Sequence, residues 1–365
     1  MKSEIDIAFE LLKSALLDVN ESSTPDTQHL SLSTQEWWSL FRLLQQNHVA
    51  ALCYDVVAKI GVPREVLIPW LSEREKAVDW YRHQSEVQQE IIDLMHRNGI
   101  ETLVLKGTHL AKYYPEPELR EFGDLDLYFY DRHDEADKLA AKKLHVTVNN
   151  EVHHHTKYNY RGVTVESHYD FINSHTPRSN RRYEATLKEL TATNPSPKSG
   201  EMSIGEKKSA STFEVLFLLR HMAGHFAASR ITLRDVVDWH LLTKATRESV
   251  DWDKVAEAVE ESGMTQFMNI LNTIAANRLG STASLSVADG STIDSRVEHD
   301  IVYGDDLLHG EKDIDGLNRL AWKLRRYRAN LWKQPLVYAH DSRLSLFLSS
   351  LSSHAKKPQS ILHKQ

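Results

Sequence analysis

The chain has 365 residues, enough for a sizeable core and two or three packed units. Apolar residues at 41% and charged residues at 26% make an ordinary globular composition, and a net charge of −7 argues against a long polynucleotide as the main ligand, since dedicated nucleic-acid binders carry basic domains. The single cysteine, Cys53, excludes an intrachain disulfide framework and fits a cytoplasmic location. The acid-bearing N-terminus is a poor signal peptide, and no run approaches the ~18 uncharged apolar residues of a membrane span, so no integral membrane association is expected.

Ile5, Ala8, Phe9, Leu11, Leu12 and Leu16 follow helical periodicity and predict a helix over residues 3–18, with a polar linker after it. Ser33 with Glu36 three residues on is a capping-box signature, opening a helix through Trp37, Leu40, Phe41 and Leu44. Further helices are expected over 49–59 and 64–98, so residues 1–98 form a helical N-terminal region. The texture changes at Gly99. Residues 101–105 (ETLVL) predict a strand running into Lys106-Gly107-Thr108 and a short helix that ends before Pro115. Residues 124–130 predict a second strand, 133–144 a helix and 146–148 a third strand. Residues 152–160 and 163–171 predict two strands joined by a tight turn at Arg161-Gly162. A small mixed-sheet core thus occupies 99–190. The Ser-, Thr-, Pro-, Gly- and Lys-rich stretch 191–211 reads as a loop, 212–350 as a helical C-terminal region and 351–365 as a frayed tail. The expected class is α+β, a small mixed-sheet core flanked by helical regions on both sides.

Chemistry concentrates in the core. Strand side chains alternate faces, so Asp124 and Asp126 point the same way, about 7 Å apart at ~3.4 Å per residue, while Leu125 and Leu127 point inward. Like charges side by side repel unless a cation lies between them, and carboxylate oxygens suit hard ions such as Mg²⁺. The alternative is a strand edge meeting solvent. Gly107 permits close backbone approach to a phosphate, with a hydroxyl from Thr108 and a positive charge from Lys106; the alternative is a helix cap after a glycine turn. On strand 163–171, Glu166, His168 and Asp170 share one face. Glu166 is therefore placed to join the aspartates from a neighbouring strand, with Asp170 as second choice.

This order resembles the DNA polymerase beta superfamily of nucleotidyltransferases: strand, glycine with a hydroxyl residue, helix, D-x-D strand, then a later carboxylate. More closely, it is similar to a bacterial family of uncharacterised nucleotidyltransferases. The motifs that carry the likeness are Leu105-Lys106-Gly107, Arg120, Gly123-Asp124-Leu125-Asp126-Leu127 and Glu166-Ser167-His168, then His221-Met222-Ala223-Gly224-His225 and Leu233-Arg234-Asp235-Val236-Val237-Asp238. The stretch from Gly107 to Asp124 is longer than the superfamily pattern. The resemblance implies catalytic Asp124, Asp126 and Glu166 holding Mg²⁺ or Mn²⁺. It places Lys106, Gly107, Thr108, Arg120 and His168 around a nucleoside triphosphate, with a sugar, metabolite, RNA end or protein side chain as acceptor. Two other functions stay open: a nucleotide-binding or regulatory protein without catalysis, and a metal-dependent phosphohydrolase built on His299-Asp300 or His340-Asp341.

Other residues have plainer readings. Strand alternation lets at most His153 and His155 of the triple histidine converge. His221 and His225 lie one helical turn apart, are not part of an H-E-x-x-H motif, and are expected to pack their helix against the catalytic sheet. Arg234, Asp235 and Asp238 form an expected ion-pair set. The basic, aromatic segment 319–333 is an amphipathic helix or a contact for a phosphate-bearing acceptor or an anionic membrane surface. Asp126→Asn, which relieves carboxylate repulsion, is expected to leave metal-free stability unchanged or higher.

Overall fold

Local signals set the helices of the N-terminal region. Ser3 caps α1 (Glu4–Ala15) in a capping box with Asp6, and Ser33 caps α2 (Thr34–Gln46) in the expected box with Glu36. Gly61, at φ 87°, ends α3 (Ala50–Ile60), and Pro63 precedes the 34-residue α4 (Arg64–Arg97). These come from a computed structural model that describes residues 2–17, 31–150, 153–173, 177–192, 204–280, 294–304 and 316–356.

The core follows with β1 (Leu103–Val104), α5 (Thr108–Ala111), β2 (Asp124–Tyr128), α6 (His133–Lys143), β3 (His155–Tyr160) and β4 (Val163–His168). They build a four-stranded mixed sheet in the order β1-β2-β4-β3, with only β2 and β4 parallel. Arg161 (φ 51°) and Gly162 (φ 82°) make the two-residue β3–β4 turn read from the sequence. The C-terminal region comprises α7 (Arg178–Ala192), α8 (Ile204–Ala228), α9 (Leu233–Thr246), α10 (Trp252–Glu261), α11 (Thr265–Leu279), α12 (Ser295–Tyr303), α13 (Gly316–Asn330), α14 (Gln334–Val337) and α15 (Arg343–Lys356). The class is α+β, as expected. No described helix is long and apolar enough to cross a membrane.

The strands are shorter than the sequence reading, and three other boundaries differ from it. Residues 146–148 form no strand: Asn149 alone bridges Lys157, while Val146 and Val148 pack on the core as side chains. The helix expected from 212 begins at Ile204, and inside it Ser209 and Thr212 turn their hydroxyls to the Leu190 and Lys208 carbonyls. In the expected tail, α15 runs to Lys356. Residues 193–203 and 357–365 lie outside the described residues.

Two apolar clusters fix the sheet. One face, through Leu125, Leu127, Val163 and Val165, packs on Val87, Ile91 and Met95 of α4 and on Ala136 and Ala140 of α6. A larger cluster joins Leu11 and Leu12 of α1 to Leu271 and Ile274 of α11, so the N- and C-terminal helices share one core. Polar ties then dock the short α5. Glu214 on α8 accepts a hydrogen bond from Tyr113 at 2.5 Å and lies 2.8 Å from His109 Nε2. Burial alone would raise the Glu214 carboxyl; His109, Lys112 and Tyr113 outweigh it and hold it at about 2.

A carboxyl depressed below its ordinary 4.5 stabilises the fold fully above that pH and loses its contribution as pH falls through about 2. Glu214→Gln should therefore cost about 1–3 kcal/mol at pH 7 by urea denaturation. The gap to wild type should close between pH 4.5 and 2; a gap independent of pH there contradicts this role.

Candidate active site

Register decides which side chains meet. Across the parallel pair, Asp126 lies beside Glu166 and Tyr128 beside His168; across the hairpin, Lys157 lies beside Glu166 and His155 beside His168. The face away from α4 and α6 thus carries the row Asp126–Glu166–Lys157, with His168 and His155 in the next. Asp124 shares this face at the start of β2, in register with Thr164. Burial and then the Glu166 charge raise its carboxyl above the usual range.

Positive charge surrounds these acids. Lys106, at the end of β1, places Nζ 3.0 Å from Asp126 Oδ1 and 3.1 Å from His221 Nε2 on α8. His168 Nε2 lies 3.1 Å from the same Asp126 oxygen and 3.5 Å from Glu166 Oε2, and Lys157 Nζ is 2.7 Å from Glu166 Oε1. Burial opposes charge on Asp126, but Lys106 and His168 hold its carboxyl below the usual range. Glu166 is likewise well below, against burial, through His168, His155 and Lys106. The His168 ring has a further constraint. Its Nδ1 faces the Asp170 carbonyl at 3.2 Å while Nε2 faces two carboxylates, so every neighbour is an acceptor. Both nitrogens then need a proton, or Nε2 needs a cation. Consistently, His168 is pushed up to about 9 by Asp126 and Glu166, against burial.

The expected repulsion between carboxylates is therefore already answered by Lys106, Lys157 and His168, which reverses the expectation for Asp126→Asn. Lys157 was missed in the sequence, although counting outward from the Arg161-Gly162 turn pairs Val163 with Tyr160 and Glu166 with Lys157.

Among the other predicted site residues, Gly107 has φ 64° and ψ −119°, and an added Cβ would meet the Phe122 ring at 3.2 Å, so only glycine fits this turn. The Thr108 hydroxyl donates to Gln88 on α4. Arg120 does not join the cluster. It is 4% exposed and grips Asp238 of α9 through Nε and one amino group, both at 2.7 Å, while its other amino group reaches the Gly107 carbonyl at 3.3 Å. Asp238 also accepts from Tyr114. Arg120 is thus a brace for the glycine turn, and the arginine before β2 and the last aspartate of L-R-D-x-x-D form one buried pair. Asp170 lies beyond the end of β4 and turns to Lys188 of α7.

The triple histidine also departs from expectation. β3 starts only at His155, and the His154 carbonyl accepts the Tyr169 and Asp170 N–H groups. Alternation therefore does not apply before His155, and His154 turns with it toward His168, their rings 5.6 and 5.0 Å away. The His221 and His225 rings lie 4.4 Å apart on α8, tilted at 54°, and His221 meets Lys106 beside the sheet, as the packing reading expected; Arg234 pairs with Asp235. The histidine–aspartate pairs serve structure: Asp300 bonds Lys333, and Asp341 accepts from Ser179. In the basic segment, Arg326 and Lys333 donate to the Ala228 and Ser229 carbonyls at the end of α8.

A cavity of about 450 Å³ opens between α4 and the turn before β2. Trp80, Tyr81 and Phe122 supply aromatic walls, with Arg234 and Gln84 beside them. Gln84 is fully buried; its amide donates to the Gly123 carbonyl and its Oε1 has no partner among the described residues.

As a ligand set, Asp126, Glu166 and His168 offer atoms within 4.8 Å of one another, and two carboxylates with one imidazole suit a divalent ion. Neither the curated proteins nor the solved structures give a match. A family profile described as "Uncharacterised nucleotidyltransferase" matches residues 33–280, which takes in the whole sheet and the helices α2 to α11. The chain belongs to this uncharacterised nucleotidyltransferase family.

Proposed function

We propose that the protein moves a nucleoside monophosphate from a nucleoside triphosphate to a hydroxyl-bearing acceptor, using Mg²⁺ or Mn²⁺ held by Asp124, Asp126 and Glu166. The observation that carries this reading is the parallel register that sets Asp126 beside Glu166 on a buried face, with His168 in the same group. The residues fit a cation, because His168 Nε2 points at two carboxylates and requires either a proton or a metal. A divalent ion there supplies Lewis-acid stabilisation of phosphate charge and lowers the pKa of the acceptor hydroxyl.

The chain's own groups do the rest. Lys106 is mounted on the last residue before the Gly107 turn and carries its charge to the phosphates. Gly107 lets the backbone approach them, and Arg120 holds that turn rigid through Asp238. The aromatic cavity lies at the turn before β2, its wall ending at Gly123. It offers stacking surface for a planar ring. A second reading, nucleotide binding without transfer, draws on Lys106, which already neutralises Asp126.

Incubating the protein with each labelled nucleoside triphosphate, Mg²⁺ or Mn²⁺ and a metabolite pool separates the two. Transfer gives pyrophosphate and a labelled product, both lost in Asp124→Asn and Glu166→Gln. Binding with no pyrophosphate under any condition favours the second reading.

Lys106→Ala should weaken nucleotide binding about 10–100-fold at fixed Mg²⁺, as loss of one charged hydrogen bond does. Equal affinities in a calorimetric titration would remove Lys106 from the triphosphate. Asp126→Asn should lower metal-free stability by about 1–3 kcal/mol, because Lys106 and His168 lose a charged partner. Thermal unfolding without metal tests this, and unchanged or raised stability would restore the repulsion account.

A further inference from the structure

We propose that His154, His155 and His168 form a second cation site, for an ion with imidazole affinity such as Zn²⁺, beside the carboxylate site and competing with it for His168 Nε2. This goes beyond nucleotidyl transfer and does not depend on it. One ring nitrogen from each lies within 4.8 Å of the other two, and the ring centroids are 4.4, 5.0 and 5.6 Å apart. Such spacing lets modest side-chain rotation bring three nitrogens to one ion at ~2.0–2.1 Å.

The backbone builds this convergence. Adjacent residues on a strand point to opposite faces, but His154 lies just before β3, tied through its carbonyl to the Tyr169 and Asp170 N–H groups. The same two residues follow His168, so the three imidazoles are fixed at one end of the β3–β4 pair.

Unmet polar groups point the same way. His155 is 5% exposed, and neither of its ring nitrogens has a hydrogen-bond partner among the described residues; His154 Nδ1 has none either. Buried polar atoms are otherwise almost always satisfied. His168 meets the Asp170 carbonyl with Nδ1, the outer contact that metal-bound histidines usually make, which leaves Nε2 to bind. Glu166 Oε1, 3.5 Å from His155 Nε2, stands where a fourth donor is needed. Three imidazoles favour Zn²⁺ over Mg²⁺, whereas the carboxylates do not, so the two sites differ in the ion they take. An ion held here takes the His168 lone pair that otherwise faces Asp126 and Glu166, and thereby couples the sites through one ring.

The test uses full-length, metal-free protein without nucleotide, titrated with Co²⁺ and then Zn²⁺. Wild type should develop the intense visible absorption of nitrogen-ligated tetrahedral Co²⁺ at one equivalent, and Zn²⁺ should abolish it and raise the melting temperature. His154→Gln and His155→Gln should each weaken Zn²⁺ binding at least about tenfold, while Asp124→Asn leaves it unchanged. His154 is partly exposed, so its variant keeps the test usable should His155→Gln fail to fold. Absence of the absorption, wild-type Zn²⁺ affinity in His154→Gln, or loss of Zn²⁺ only in Asp124→Asn would overturn the site. Because no nucleotide is present, none of these results bears on transfer.

Discussion

Two carboxylates placed side by side on a buried sheet face are the constraint from which the rest of the site follows. Parallel pairing of β2 with β4 leaves Asp126 and Glu166 no freedom to separate, and burial removes the water that would screen them. A fold that keeps them there must surround them with positive charge. It does so from three directions: Lys106 from the end of β1, Lys157 from β3 and His168 one row along β4. The mixed order β1-β2-β4-β3 is what allows this, since it sets the two acidic strands at the centre, with Lys157 on one edge strand and Lys106 just past the other.

The helical regions hold that arrangement in place. The long α4 covers the apolar face of the sheet, and α8 covers the charged face, where His221 contacts Lys106. The buried Arg120–Asp238 pair ties α9 to the turn at Gly107, and breaking such a pair by removing one partner typically costs about 3–5 kcal/mol. The N- and C-terminal helices share one core, so the position of α8 and α9 against the sheet depends on residues as distant as Leu11 and Leu12. Glu214, held on α8 by α5 side chains, closes the same loop from the other side.

Much of this was legible in the sequence. The Ser33–Glu36 capping box, the Arg161-Gly162 turn and the alternation of D-L-D-L are local signals with local causes, and each produced the element it predicts. Asp126, Glu166 and His168 were identified because strand alternation and a family motif agree on them. What was not legible depends on pairing between distant segments. Arg120 was assigned to phosphate because nothing near it in sequence announces Asp238, 118 residues away. The triple histidine departs from expectation because its strand starts three residues later than alternation implied, and one residue of register changes which rings meet. Lys157 was recoverable by counting back from the turn, whereas the aromatic cavity, assembled from α4 and a loop about forty residues later, had no local signature.

Charge balance links the site's resting state to its proposed use. With His168 protonated, Lys106, Lys157 and His168 match Asp124, Asp126 and Glu166 in number, so the cluster is close to neutral before any ligand arrives. A naked divalent ion upsets that balance in one direction and a naked triphosphate in the other. Two divalent ions and a triphosphate together bring about four charges of each sign and leave it intact. Under the proposed function, a site built this way would favour the metal–nucleotide complex over either component alone. It achieves this without moving the lysines out of the protein, because Lys106 can turn from Asp126 to a phosphate when an ion takes its place. The same reasoning explains why the proposed second cation site, built from histidines, can lie so close. Neutral imidazoles add ligands without adding charge, and so leave the balance of the carboxylate row to Lys106, Lys157 and the shared ring of His168.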